Sequence, residues 1–106
     1  MQETKDKLPE TEGKKRAYQQ QMEAQFKEWS AKIETLKAKA EKAEAKVKVG
    51  YYDVLEQVRG KQTQLRQKLD ALRNTGTGAW EDVKGGVEKA WGELRAAFDR
   101  ATGRMK

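Results

Sequence analysis

An apolar stripe that recurs at helical spacing for half the chain constrains this sequence more than any other feature. It runs through Tyr18, Met22, Phe26, Trp29, Ile33, Leu36, Ala40, Ala43, Val47, Tyr51, Val54, Val58, Gln62, Leu65, Leu69 and Leu72. Its fifteen steps cross 54 residues, a mean of 3.6 per step, which is the period of a straight α-helix. From Ala43 to Leu65 the steps fall twice into the run 4, 4, 3. Such eleven-residue units relax the left-handed supercoil that a strict heptad repeat imposes. Glu23 with Lys27, Glu28 with Lys32, and Glu44 with Lys48 stand four apart in the favourable acid-before-base order.

Composition agrees with a long helix. Ala, Glu, Lys, Leu and Arg supply 55 of the 106 residues, whereas Leu, Ile, Val and Phe supply only 16. Without its periodicity, a chain so poor in large apolar residues would read as disordered. The fold class expected is all-α, in one domain.

The segment Asn74-Thr75-Gly76-Thr77-Gly78 is the one strong interruption. Its glycines suit a helix C-cap, and its threonine an N-cap. Beyond it a second stripe runs through Trp80, Val83, Val87, Trp91, Leu94, Phe98 and Ala101, with Glu81 and Asp82 in the first turn and Arg95 and Arg100 near the end. Both charge placements suit the helix dipole. Gly85, Gly86 and Gly92 weaken the intrinsic helicity, so packing must hold this helix.

The expected layout is a loose lead-in over 1–13 with a helix start near Pro9 or Thr11, a long helix over 14–73, a turn over 74–78, a short helix over 79–101 and a basic tail over 102–106. Lys46 to Tyr52 alternates and contains valines, as a strand would, but it has no partner strand and the helical stripe passes through it in phase. One continuous helix is the reading preferred, with a bend or a third-helix boundary at Gly50 as its alternative.

A five-residue connection makes the two helices antiparallel, a helical hairpin or coiled coil. At 1.5 Å per residue the first is roughly 90 Å long and the second about 35 Å. The second then covers only the back half of the first. The hairpin core expected is Tyr51, Val54, Val58, Leu65, Leu69 and Leu72 against Trp80, Val83, Val87, Trp91, Leu94 and Phe98. Met22, Phe26, Trp29, Ile33, Leu36, Ala40 and Ala43 are left uncovered, and an uncovered stripe marks a partner or oligomer interface.

Composition also excludes chemistries. There is no His and no Cys, and Ser30 is the only serine. Imidazole bases, thiolate nucleophiles, zinc or haem ligation by those residues, and a Ser-His-Asp triad are therefore absent. The carboxylates stand mostly beside lysines at helical spacing, so no enzyme, cofactor, metal site or small-molecule substrate is expected. The longest uncharged stretch is Asn74 to Trp80, too short for a membrane span or a signal-peptide core. The expectation is a soluble, cytoplasmic protein. With 23 basic against 17 acidic side chains the chain is net +6, which favours anionic surfaces without choosing among nucleic acid, lipid and acidic protein. Arg59, Lys61, Arg66, Lys68 and Arg73 are candidate anion contacts, although helical spacing scatters them around the axis.

Lys15-Arg16-Ala17-Tyr18, Gln25-Phe26-Lys27-Glu28-Trp29, the Ala/Lys/Glu run from Lys37 to Lys46, and above all the segment from Ala79 to Leu94 (AWEDVKGGVEKAWGEL) resemble a family of short bacterial coiled-coil stress-response proteins typified by a cyanobacterial member. The resemblance covers about residues 14–101, and Gly85, Gly86 and Gly92 depart from it. It implies a helical, soluble, non-enzymatic protein and brings no catalytic residues. The eleven-residue units are also similar to those of desiccation-protective and apolipoprotein-like helices. The function expected is that of a structural or interaction protein, with a stress-related role implied by the resemblance, that associates with itself or docks on a larger assembly through an apolar helix face. The alternatives are a peripheral amphipathic membrane binder and a basic nucleic-acid- or ribosome-associated protein.

Overall fold

Three helices, not two, carry the stripes. The computed structural model describes the backbone of residues 2–76 and 78–105, with side chains from residue 12 onward. Helix α1 spans Gln2–Glu41, α2 Ala45–Asn74 and α3 Trp80–Arg104. Among the described residues there is no strand.

The long helix expected over 14–73 is broken at Lys42-Ala43-Glu44. Glu44 stands in extended backbone (φ −63°, ψ 149°) and caps α2 without a side-chain hydrogen bond. Gly50 lies inside α2, so the chain neither bends nor begins a helix there. Burial explains a break in a segment free of glycine and proline. A straight helix would leave the apolar face of α1 in water, and each large side chain covered there stabilises the fold by about 1.5–3 kcal/mol. The reversal interrupts only a few backbone hydrogen bonds. Two of these reform locally, Ala43 N–H to the Ala40 carbonyl at 3.2 Å and Val47 N–H to the Glu44 carbonyl at 3.0 Å.

At the N-terminus the helix takes in residues 2–13, which composition alone leaves as a lead-in. Glu, Lys and Gln there are good helix formers. At the other end α3 continues to Arg104, and Met105 is buried. Met105 extends the stripe of Phe98 and Ala101 by one more step, which the expectation of a basic tail overlooked. The connection between α2 and α3 uses Thr75 and Ala79 as caps, and no described residue adopts a positive φ. The expected Thr77 cap and the Lys106 end of the tail lie outside the described residues.

The pairings between helices fix the topology. Lys61 reaches Glu93, the Lys68 side chain lies against Gly86, and Gly50 neighbours Arg104. Positions on α3 fall as those on α2 rise, so the two are antiparallel. Ser30 meets Gln62 and Glu34 meets Arg59, so α1 and α2 are antiparallel as well. Tyr18 against Trp80 and Trp29 against Trp91 make α1 and α3 parallel. The result is an up-down-up bundle measuring 68 × 19 × 18 Å. Its radius of gyration of 17.8 Å exceeds the ~13 Å of a spherical domain this long, as a rod requires.

Candidate interaction surface

The residues expected at an interface between chains are covered within this one. Ile33, Leu36 and Ala40 belong to the same buried core as Val58, Leu65, Leu72, Val87 and Leu94, while Met22, Phe26 and Trp29 pack against it and Ala43 is half-buried at the break. Trp29 contacts two α3 rings edge-on, Trp91 at 5.5 Å and Phe98 at 4.9 Å between centroids. The break after Glu41 lets α1 fold back, and this corrects the expectation of an uncovered front half. Every residue expected in the hairpin core does lie in or against the common core.

Cations flank the aromatic rings. Lys84 sits 5.1 Å from the Tyr18 centroid and 5.6 Å from that of Trp80, and Lys32 sits 4.6 Å from Trp29. The Tyr18 hydroxyl is shielded from solvent and has no hydrogen-bond partner. Its pKa is pushed up from 10.0 to about 12, first by burial and then by the negative charge of Glu88.

The candidate anion contacts are largely engaged inside the bundle. Arg73 pairs with Glu23, Lys61 with Glu93 at 3.1 Å, and Arg59 with Glu34 at 3.7 Å. Arg66 lines, with Lys27, an open groove of about 490 Å³ beside Phe26 and Leu69, where Arg73 pairs with both Glu23 and Asp70. The aliphatic part of Lys68 covers Gly86. These five residues make no common anion-binding face. Two of the pairs expected within α1 also give way to contacts across helices or with rings, since Glu23 turns to Arg73 and Lys32 to Trp29.

A different surface gathers at the end where α1 finishes, α2 begins and α3 finishes. One hollow there is lined by Lys39, Lys42, Ala43, Glu44, Val47, Tyr51 and Met105, and the next by Lys46, Val47, Gly50, Tyr51 and Arg104. Residues 37–48 and 99–105 carry seven cationic and three acidic side chains, most of the net charge of the whole chain. Val49 is 78% exposed, and Val47 and Tyr52 are 38% and 39% exposed. Val49 points about 180° around α2 from buried Val58. The alternating segment from Lys46 to Tyr52 held the signal for this. On a helix, Val47 and Val49 are about 200° apart, so only one can join the stripe. Local stability does not explain this end. Lys46 occupies the first turn of α2, where it opposes the helix dipole, and its exposed ion pair with Glu44 at the N-cap, at 3.7 Å, offsets little of that.

No helix is long and apolar enough to cross a membrane, and among the described residues no cluster of three or more acidic side chains can hold a metal ion. Comparison with protein-family models, with curated proteins and with solved structures finds no match to this chain.

Proposed function

We propose that this chain is a non-enzymatic interaction protein whose bundle presents its basic, valine-studded end to an anionic membrane surface, in a stress-related setting as the family resemblance implies. The observation that carries the reading is the excess of cations in residues 37–48 and 99–105 at the end of the bundle where Val49, one helical turn from Lys46, is exposed. Lysines beside a small apolar wedge match the headgroup region of an anionic bilayer. There each cation near the surface contributes about 1 kcal/mol and apolar side chains enter the acyl boundary. Lys46 and exposed Val49 both work against the local stability of α2, and departures of this kind concentrate at functional sites.

Co-sedimentation with phosphatidylglycerol vesicles, set against phosphatidylcholine vesicles, tests this. Binding is expected to the anionic vesicles only and to weaken with salt. Replacing Lys46 and Lys48 by Gln should weaken it about 30-fold, at roughly 1 kcal/mol per lysine. Equal binding to neutral vesicles would overturn the reading. So would tighter binding to duplex or single-stranded nucleic acid, which belongs to the alternative partner class.

A further inference from the structure

The connection between α1 and α2 is the least determined turn in the fold. Lys42, Ala43, Glu44 and Ala45 are all good helix formers, with no glycine or proline among them. Glu44 makes no side-chain cap, and no described residue there takes a left-handed conformation. The apolar stripe also crosses the break in phase, with Leu36, Ala40, Ala43, Val47 and Tyr51 spaced 4, 3, 4 and 4. If ψ of Glu44 turns from 149° to the helical value near −42°, and Lys42 and Ala43 take helical backbone with it, α1 and α2 can merge into one helix.

We propose that this chain forms a domain-swapped dimer in which α1 and α2 straighten into a single helix and α1 of each copy packs on α2 and α3 of the other. This goes beyond the docking reading and does not depend on it. Several of the contacts that hold α1 are made to α2 and α3 far from the hinge. Tyr18 on Trp80, Trp29 on Trp91 and Phe98, and Ser30 with Gln62 at 2.8 Å are all of this kind. A second copy supplies the same partners in the same geometry. Exchange of an identical element is a low-cost route to a dimer, and short hinge loops favour it. The α2–α3 turn is untouched.

The straightened helix spans residues 2–74 and is roughly 110 Å long, against a monomer whose greatest extent is 68 Å. Two such helices run antiparallel about a two-fold axis at the former break. Ala40 and Ala43 meet their counterparts there and are small enough to allow close approach. The same axis brings two basic ends together, so association should strengthen as salt screens them.

The test places a dye pair at Arg16→Cys and Asn74→Cys, which is unambiguous because the chain has no cysteine. These positions are close in the monomer, where the Lys15 ammonium donates to the Thr75 carbonyl. In the straightened helix they are roughly 90 Å apart. Labelled chains diluted into excess unlabelled chains are refolded at increasing total concentration and separated by mass. The expected result is a dimer whose intrachain energy transfer is nearly abolished, beside a monomer with high transfer. Glu44→Pro, at a φ of −63° that already suits proline, should keep the monomer folded and weaken dimerisation at least 100-fold, because proline breaks both long helices. A chain that is monomeric at every concentration overturns the proposal. So does a dimer that retains high intrachain transfer, or one that Glu44→Pro leaves intact.

Discussion

Trp29 meets Trp91 edge to face, with ring centroids 5.5 Å apart and planes at 75°. The two residues sit on helices that are not consecutive, so this contact forms only after the chain has reversed twice. Trp29→Ala should therefore lower stability by about 3 kcal/mol, the lower end for a large aromatic lost from a core, because Trp29 is only partly buried. A double-mutant cycle with Trp91→Ala in urea unfolding should give a coupling of about 0.5–1.5 kcal/mol. A coupling near zero would place the two rings apart.

Tyr18 makes the fold sensitive to alkali. Its folded-state pKa of about 12 lies above the unfolded 10.0. Folding thus favours the neutral phenol, and this contribution is complete below pH 10 and lost as pH rises toward 12. Stability followed by urea midpoint should fall over that window. In Tyr18→Phe the fall due to this residue should vanish. The substitution should be neutral or stabilising by up to about 1 kcal/mol at pH 7, since the hydroxyl it removes has no hydrogen-bond partner.

Gly60 and Gly92 lie in helix interiors, and a Cβ at either would meet no atom within 4 Å. Gly60→Ala and Gly92→Ala should each raise stability by about 0.5–1 kcal/mol and add in the double variant. Thermal unfolding checks this. A destabilised Gly92→Ala would mean that something packs against that face.

The Gln62 amide donates to the Ser30 hydroxyl at 2.8 Å, where Gln62 is the polar step in the apolar stripe. Ser30→Ala should cost about 1 kcal/mol, and more if Gln62 is left buried without a partner. Gln62→Leu continues the stripe and should recover most of that loss in the double variant.

What was legible in the sequence was the set of inward-facing residues. The stripe from Tyr18 to Leu72, apart from exposed Val47 and half-buried Ala43 and Gln62, and that from Trp80 to Ala101 turn to the core. The order of faces along a helix follows from local period alone, so it needs no knowledge of partners. The break at Lys42–Glu44 was not legible, because propensity and phase both favour continuing through it. Only the gain from covering Trp29, Ile33 and Leu36 with α2 and α3 decides against that, and this is a long-range quantity. The same omission made the front half look like an interface. Val49 was missed for another reason. The segment Lys46–Tyr52 is compatible with strand and helix alike by its pattern, and only the helical register turns Val49 outward.

All three ring pairs of the bundle lie between α1 and α3, and they include every tryptophan in the chain. Intrinsic tryptophan emission therefore responds to the docking of α1, through Trp29 itself and through the two α3 tryptophans whose rings α1 covers. Undocking of α1 with α2 and α3 still paired would red-shift the emission while far-ultraviolet ellipticity stayed high. A swapped dimer, with the same rings in the same surroundings, would emit like the monomer. The protein thus carries an optical gauge for the open intermediate that separates its two closed forms.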